Sequence, residues 1–545
     1  MSQTTSRQTR TATSVRPSIA RSERLPFSTV LVANRGEIAV RVIRACHDLG
    51  LRAVAVYSDA DRDAPHVRMA DMAVRIGPPA ATESYLRIEK IVEAARQTGA
   101  GAIHPGYGFL SENPDFADAC EAAGIIFAGP SGRVMREMGE KTAARRKAQE
   151  ANVPVTPGYN ADIADAAQAR EEAERIGFPV LLKASAGGGG KGIRFVHNPE
   201  DLEAALRLAR SEALGAFGDA TVYIEKAVVP ARHIEVQIFG DRHGNVIHLG
   251  ERECSIQRRH QKLIEESPSP ALDEDTRACL LDSAVRLAKA VNYTGAGTAE
   301  FLLGPDGQFY FLEVNARLQV EHPVTEWRVG LDLVREQLRV AAGLPLSVRQ
   351  EDVVFRGHAI EARISAEDPL NHFLPASGTV AALHDPAGPG VRLDSGLYEG
   401  MPIPLFYDPL LAKLICWGQD RDEAIARLRR ALDEYIITGV RTTIPFAQWI
   451  TRHPRFLAGD FSTDFIAEEW RPEELALAPS ALDGAHPESP ELDDEQVAAL
   501  AAALVAREAG QSLASRRQEA GAGEPEEGWQ WRLAGRRAAT SGSGW

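Results

Sequence analysis

The chain has 545 residues, 44% of them hydrophobic and 25% charged, enough for about three to five packed units. No apolar run approaches the ~18 residues that a membrane helix needs. Lys+Arg 61 against Asp+Glu 76 gives a net charge of -15. Such a field repels nucleic acid and anionic lipid, so an anionic ligand has to be held by a local cationic site. Only 9 of the 61 cations are lysine, which makes the position of each lysine informative. The five cysteines (Cys46, Cys120, Cys254, Cys279, Cys416) include no C-x-x-C pair. That fits neither a disulfide framework nor a zinc site and suggests a reducing, cytoplasmic setting.

Residues 1–26 read as a disordered tail; the first 22 contain four Arg, no acid and no apolar core of a secretion signal, a composition that organellar transit peptides share. From Thr29 an apolar strand, a turn at Asn34-Arg35-Gly36, an amphipathic helix and a strand at 53–57 spell a βαβ unit of a parallel sheet. Strand-like 102–104, helix-like 114–123 and strand-like 125–128 continue an open α/β layer to about residue 140. A helix at 141–151, a helix ending at Ile176, and strands at 180–184, 193–196, 222–225, 233–239 and 246–249 then suggest an α+β unit with an inserted lid. Shorter strands and a helix at 422–435 fill 351–470. Beyond Trp470 the composition turns to Pro, Glu, Ser and Ala. That tail is interrupted by an amphipathic helix around Val497–Val505 and by Trp529-Gln-Trp531-Arg532-Leu533. It could dock another subunit or pack on the chain's own core.

Three features could carry chemistry. Gly187, Gly189 and Gly192 match G-x-G-x-x-G, but the motif joins two strands and therefore reads as a glycine hairpin, not a dinucleotide turn. Lys141, Lys183 and Lys191 surround it, and compact ammonium groups suit phosphate oxygens. In the segment 309–322, polar residues alternate with apolar ones, which predicts an extended stretch with Glu313, Asn315, Arg317, Gln319 and Glu321 in a row on one face. Glu300 lies between apolar residues on a second strand, and the oxygens of Glu300, Glu313 and Asn315 suit Mg²⁺. The stretch from Gln257 to Lys262 is basic and flanked by acids, so it reads as an anion site in a carboxylate-rich cleft. Cys254 beside it reads as a buried, inert thiol.

Several separated motifs then coincide in order: Ala33-Asn34-Arg35-Gly36-Glu37, HPGYGFLSEN at 104–113, the Lys183-to-Lys191 glycine loop, ERECSIQRRHQK at 251–262, GAGTAEF at 295–301, RLQVEHPVTE at 317–326 and HAIEARISAED at 358–368. Over about residues 27–470 the chain resembles the biotin carboxylase family of the ATP-grasp superfamily. The resemblance implies a Rossmann-like N-terminal domain (27–140), an ATP-grasp domain (141–350) with a lid at about 155–228, a C-terminal domain (351–470) and a tail (471–545). It implies that MgATP (or MnATP) and bicarbonate form carboxyphosphate, from which the carboxyl group passes to biotin.

By position, Lys141, Lys183, Gly188, Gly189, Glu225, Lys226, His233, Gln257 and His260 would contact ATP, with Glu225 and Lys226 near the adenine. Glu300, Glu313 and Asn315 would hold the metal. Lys262, Arg317, Gln319 and Val320 would bind bicarbonate, Glu321 would deprotonate it, and Arg363 would stabilise the biotin enolate. The chain departs from the family's pattern at Ala316 and at Trp327-Arg328-Val329. None of its six Met lies in an Ala-Met-Lys-Met site, so the biotin is expected on a separate carrier protein and the carboxyltransferase on another chain. A homodimer, and a role in an acetyl- or acyl-CoA carboxylase of fatty acid biosynthesis, are implied too. The competing readings are a non-biotin ATP-grasp ligase and a non-catalytic ATP-binding scaffold.

Overall fold

The computed structural model describes residues 25–159, 161–184 and 193–473. Gly188, Gly189, Lys191, the first 24 residues and the expected helix and Trp segment of the tail lie outside the described residues.

The N-terminal layer is a parallel five-stranded sheet of β1 (Thr29–Val32), β2 (Arg52–Ser58), β3 (Met72–Gly77), β4 (Ala102–His104) and β5 (Ile126–Phe127), in the order β3-β2-β1-β4-β5. Strands β1 and β2 alternate with the helix Gly36–Asp48, whose apolar face (Ile38, Val42, Ile43) is buried. The edge strand β3 was not apparent in the sequence, because its outer half alternates partly buried with exposed residues. At the carboxyl end of β1 the Asn34 amide donates to the carbonyls of Pro105 (2.7 Å) and Tyr107 (2.8 Å), tying the first turn to the loop after β4. Gly106 in that loop has φ +64, and a Cβ there would lie 3.0 Å from Asn34 Nδ2. A side chain would therefore be strained and would also push the two loops apart.

A small antiparallel sheet follows, of β6 (Gly158–Tyr159), β7 (Val180–Ala184), β8 (Ile193–Val196) and β9 (Val222–Lys226), ordered β6-β9-β7-β8. Helices Ala166–Ile176 and Leu202–Phe217 cover it, and it has its own apolar core of Val180, Leu182, Val196, Leu206, Val222 and Ile224.

The largest element is an eight-stranded sheet. It contains β10 (Arg232–Gly240), β11 (Val246–Arg258), β12 (Gln261–Ser267), β13 (Gly295–Leu303), β14 (Phe309–Asn315) and β15 (His358–Ser365), plus the strands Leu410–Gly418 and Val391–Ser395. From one edge it runs β14-β13-β10-β11-β12-β15 and then to those two strands. The residues beyond 350 therefore extend the same sheet, and β12 pairs with β15 in the register Ile264↔Ala362, Glu265↔Glu361.

The expected row of polar residues from Glu313 to Glu321 is corrected here. Strand β14 ends at Asn315, residues 316–320 are irregular, and Glu321 stands at the N-terminus of the helix His322–Val329. Pro323 favours that helix start because it lacks the amide hydrogen an interior position would use. Period-two alternation cannot reveal where a strand stops.

Candidate active site

The exposed ends of β9–β15, the small sheet and the loops after β1 and β4 enclose a cleft of about 1510 Å³. A site for one small ligand typically measures ~300–1000 Å³, so this cleft has room for a nucleotide and a second reactant.

One end of the cleft is organised by Lys262, which follows the β11–β12 turn and faces Gln257 across it. Its ammonium donates to Glu235 (2.5 Å), Glu321 (2.7 Å) and Glu300 (3.1 Å). Burial opposes the charge on Lys262, but these three carboxylates outweigh it and raise its pKa well above the ordinary lysine value. Cross-strand register creates the acid cluster, because Glu235 pairs with Glu300 and Glu300 with Glu313. Glu300 also accepts from Asn315 (2.8 Å) and Gln319 (3.1 Å) and pairs with His233 (3.0 Å).

Glu321 is fully buried, and its second carboxylate oxygen pairs with Arg363 Nη2 (2.9 Å). Burial alone would raise this carboxyl, yet Lys262, Arg363 and Arg252 hold it well below the usual carboxylate range. Arg363 in turn donates to Glu265 (2.5 Å), which burial, opposed by Arg363, pushes up to about 7. Arg317 donates to Glu112 (2.8 Å), Gln319 (2.8 Å) and Asn315 (2.9 Å). The irregular stretch after β14 thus gathers Arg317, Gln319 and Glu321 around one point, which an extended strand would have kept in a line.

The residues proposed for a metal have a suitable donor set. Burial and the facing Glu300 charge raise the Glu313 carboxyl, with Lys141 opposing. A divalent cation between the two carboxylates would relieve that repulsion, and carboxylate and amide oxygens match the preferences of Mg²⁺ or Mn²⁺.

The other end of the cleft has a different character. Lys141 opens the helix Lys141–Glu150, and burial lowers its pKa. Lys183, at the end of β7, pairs with Glu225, which also accepts from Arg145 (3.0 Å) and Thr156 (3.0 Å). Burial would raise Glu225, but Lys183 and Arg145 keep it below its ordinary value. Apolar side chains Leu181, Ile193, Tyr223, Leu302 and Leu312 form a slot beside these cations. Gln257 and His260 line the same cleft from the β11–β12 turn. The Lys226 ammonium is elsewhere, donating to the carbonyls of Gly177 (3.0 Å) and Phe178 (2.8 Å). Its backbone, not its charge, is what adjoins the slot through Glu225 and Ala227.

Sequence models place this arrangement. Residues 26–135 match the biotin carboxylase N-terminal domain, 140–349 the carbamoyl-phosphate synthase L chain ATP binding domain, and 361–468 the biotin carboxylase C-terminal domain. The chain belongs to the biotin carboxylase family. Biotin carboxylase 1 of Bacillus subtilis is 53% identical over 438 residues, which cover 80% of this chain and 97% of that one. The propionyl-CoA carboxylase alpha chain of Ruegeria pomeroyi is 49% identical over 498 residues, 88% of this chain and 72% of that one. Among solved structures, the biotin carboxylase domain dimer of Hydrogenobacter thermophilus 2-oxoglutarate carboxylase, in complex with MgADP, ADP and bicarbonate, superposes with a TM-score of 0.78. It is 47% identical and covers 82% of this chain and 98% of that one. Like the family to which it belongs, this chain is an ATP-dependent ligase.

Within that frame the structure adds residues that the sequence reading passed over. Arg252 is fully buried and donates to Glu235, Gln237 (2.7 Å), Thr325 (2.9 Å) and Thr298 (3.1 Å), making a polar floor under Lys262. The alternation in His233-Ile-Glu235-Val-Gln237 was the available signal for one side of that floor. The roles of Arg145 and Glu112 could not be read locally, because the charged partners they meet, Glu225 and Arg317, lie 80 and 205 positions away. No helix of the described residues is long and apolar enough to cross a membrane.

Proposed function

We propose that the chain carboxylates biotin borne on a separate carrier protein, using MgATP and bicarbonate by way of carboxyphosphate, as one subunit of an acyl-CoA carboxylase. The observation that carries this reading is Glu321, a fully buried carboxylate gripped by Lys262 and Arg363, two cations that line the cleft together with Lys141 and Lys183. The kinship with a propionyl-CoA carboxylase chain supports the acyl-CoA assignment, and the bicarbonate complex of the Hydrogenobacter domain supports the carboxyl donor.

In this reading the apolar slot takes the adenine, and Lys141, Lys183, His233, Gln257 and His260 take the phosphates, where lysines act as movable point charges. Glu300, Glu313 and Asn315 hold Mg²⁺ or Mn²⁺, which neutralises charge building on the transferred phosphoryl oxygens. Arg317, Lys262, Gln319 and the Val320 backbone hold bicarbonate beside Glu321. Free of ligands, Glu321 is a weak base because Lys262, Arg363 and Arg252 stabilise its charge. Bicarbonate drawing on Lys262, and the biotin ureido oxygen drawing on Arg363, would release that stabilisation and make Glu321 more basic when its proton arrives. Carboxyphosphate then breaks down to CO2 and phosphate, the phosphate takes the biotin ureido N–H proton, Arg363 stabilises the enolate oxygen, and the ureido nitrogen bonds the CO2 carbon. A homodimer and separate carrier and transferase chains complete the proposal.

The test is ATP hydrolysis in the presence of bicarbonate, with and without free biotin. Stimulation by biotin is expected. Turnover indifferent to biotin, or none, overturns the reading.

A further inference from the structure

Lys413 is one of the few lysines in a chain that otherwise uses arginine, and it lies outside the nucleotide and bicarbonate motifs. It is fully buried, in the middle of the strand Leu410–Gly418. Its cross-strand neighbours are Arg363 on β15 and Asp394 on the strand Val391–Ser395. Directly opposed residues point to the same face of a sheet, so Lys413 and Arg363 reach toward one segment side by side. Arg363 pairs with the Glu321 carboxylate (2.9 Å), while the Lys413 ammonium donates to the carbonyl of the preceding residue, Val320 (2.7 Å). Two adjacent cations thus hold consecutive residues, one by the side chain and one by the backbone.

The same ammonium is 3.6 Å from Glu37 on the helix Gly36–Asp48, 3.8 Å from Asp394 and 5.6 Å from the Tyr107 ring centre. It is therefore where the N-terminal layer, the segment after β14 and the C-terminal strands meet. A lysine suits this place because its single compact head offers three donors in any direction. A guanidinium spreads five in one plane, some of which would be buried without acceptors.

We propose that Lys413 is a positioning residue for the base: by fixing the Val320 carbonyl it sets the Glu321 carboxylate at contact distance from both Lys262 and Arg363. The inference rests on the reading of Glu321 as the base. Irregular backbone between β14 and the following helix has no ladder of its own to hold it, so this hydrogen bond substitutes for one.

The experiment compares wild type with Lys413→Met and Lys413→Arg in biotin-stimulated ATP hydrolysis and in amide hydrogen exchange of the full chain. Lys413→Met is expected to lose at least tenfold in kcat with KM for ATP within twofold of wild type, and to speed exchange at 318–321 at least fivefold while the helix Arg421–Glu434 is unchanged. Unchanged kcat and exchange, or exchange raised evenly throughout the chain, overturns the inference. Should Lys413→Met not fold, Lys413→Arg keeps the charge and alters only donor geometry. A kcat loss of threefold or more supports the proposal, and wild-type kcat overturns it. If wild type itself shows no stimulation by biotin, the reading of Glu321 as the base fails on its own, and exchange at 318–321 still decides whether Lys413 fixes that segment.

Discussion

The carboxylate of Glu112 accepts both the Arg317 Nε–H (2.8 Å) and the Ala316 backbone N–H (2.9 Å), joining residues 205 positions apart. Glu112 belongs to the HPGYGFLSEN loop of the N-terminal layer, whereas Arg317 follows β14. The N-terminal layer thereby orients an arginine assigned to bicarbonate. Glu112→Gln removes the negative charge and one of the two acceptors. A hydrogen bond to a charged group is worth ~1.5–3 kcal/mol, so KM for bicarbonate should rise on the order of tenfold while KM for ATP stays put. Steady-state kinetics with each substrate varied separately would show it, and equal changes in both constants would contradict it.

Glu321→Gln keeps the size of the side chain but removes its charge, the proton acceptor and one of the two oxygens that accept from Lys262 and Arg363. Biotin-stimulated hydrolysis should fall by about 10²–10⁴, the usual contribution of a positioned base. Nucleotide affinity, read by calorimetry, should change little, because Glu321 faces Lys262 and Arg363 and not the slot beside Lys183.

Arg252 is a cation with no exposure, matched to Glu235, Gln237, Thr298 and Thr325. Breaking a buried pair from one side typically costs ~3–5 kcal/mol. Arg252→Met should therefore lower the denaturation midpoint markedly. Arg252→Lys should rescue little, since an ammonium lacks the planar fork that reaches both strands.

His104 supplies a pH test. Its Nδ1 accepts from Gly106 N–H (3.0 Å), so Nε2 carries the proton and donates to Gln337 (3.2 Å). Burial, with the Arg41 charge adding and the Gln337 hydrogen bond opposing, lowers its pKa to about 4. The unfolded chain, with histidine near 6.5, binds the proton first as pH falls. The stability contributed by neutral His104 is whole above about pH 6.5 and is lost progressively toward pH 4, by about 2 kcal/mol at pH 5. His104→Asn should be less stable at pH 7 yet lose less than wild type between pH 7 and pH 5, as measured by urea denaturation at both values. Parallel slopes would show that His104 does not titrate in this way.

Part of the site was legible because its pattern is local: Glu313 lies in an alternating segment, Glu300 between apolar residues and Lys262 in a basic stretch flanked by acids, whereas Arg363 was marked only by the resemblance of the motif around it. Legibility ended where chain direction changed. Alternation from Glu313 to Glu321 suggested a line of side chains, whereas the turn after Asn315 wraps them around a centre. Lys413, in Leu410-Leu-Ala-Lys413-Leu-Ile, is the one charge in an apolar run and shares its face with Leu411 and Ile415, so the local pattern marks a buried strand without showing what the ammonium meets. Only the packing of three layers against it supplies those partners. Lys226 shows the converse, a motif residue whose charge serves the backbone of a neighbouring turn.

The pairing of β12 with β15 has a consequence for how such a protein can be divided. Cutting the chain near residue 350 would strip the partner from Ile264–Ser267 and leave a bare edge with unpaired amides and carbonyls, open to adhesion between molecules. The residues proposed for nucleotide and those proposed for biotin therefore share one sheet. Fusion or splitting of such a chain is expected to leave the sheet from β10 through the strand Leu410–Gly418 whole, with no seam near residue 350.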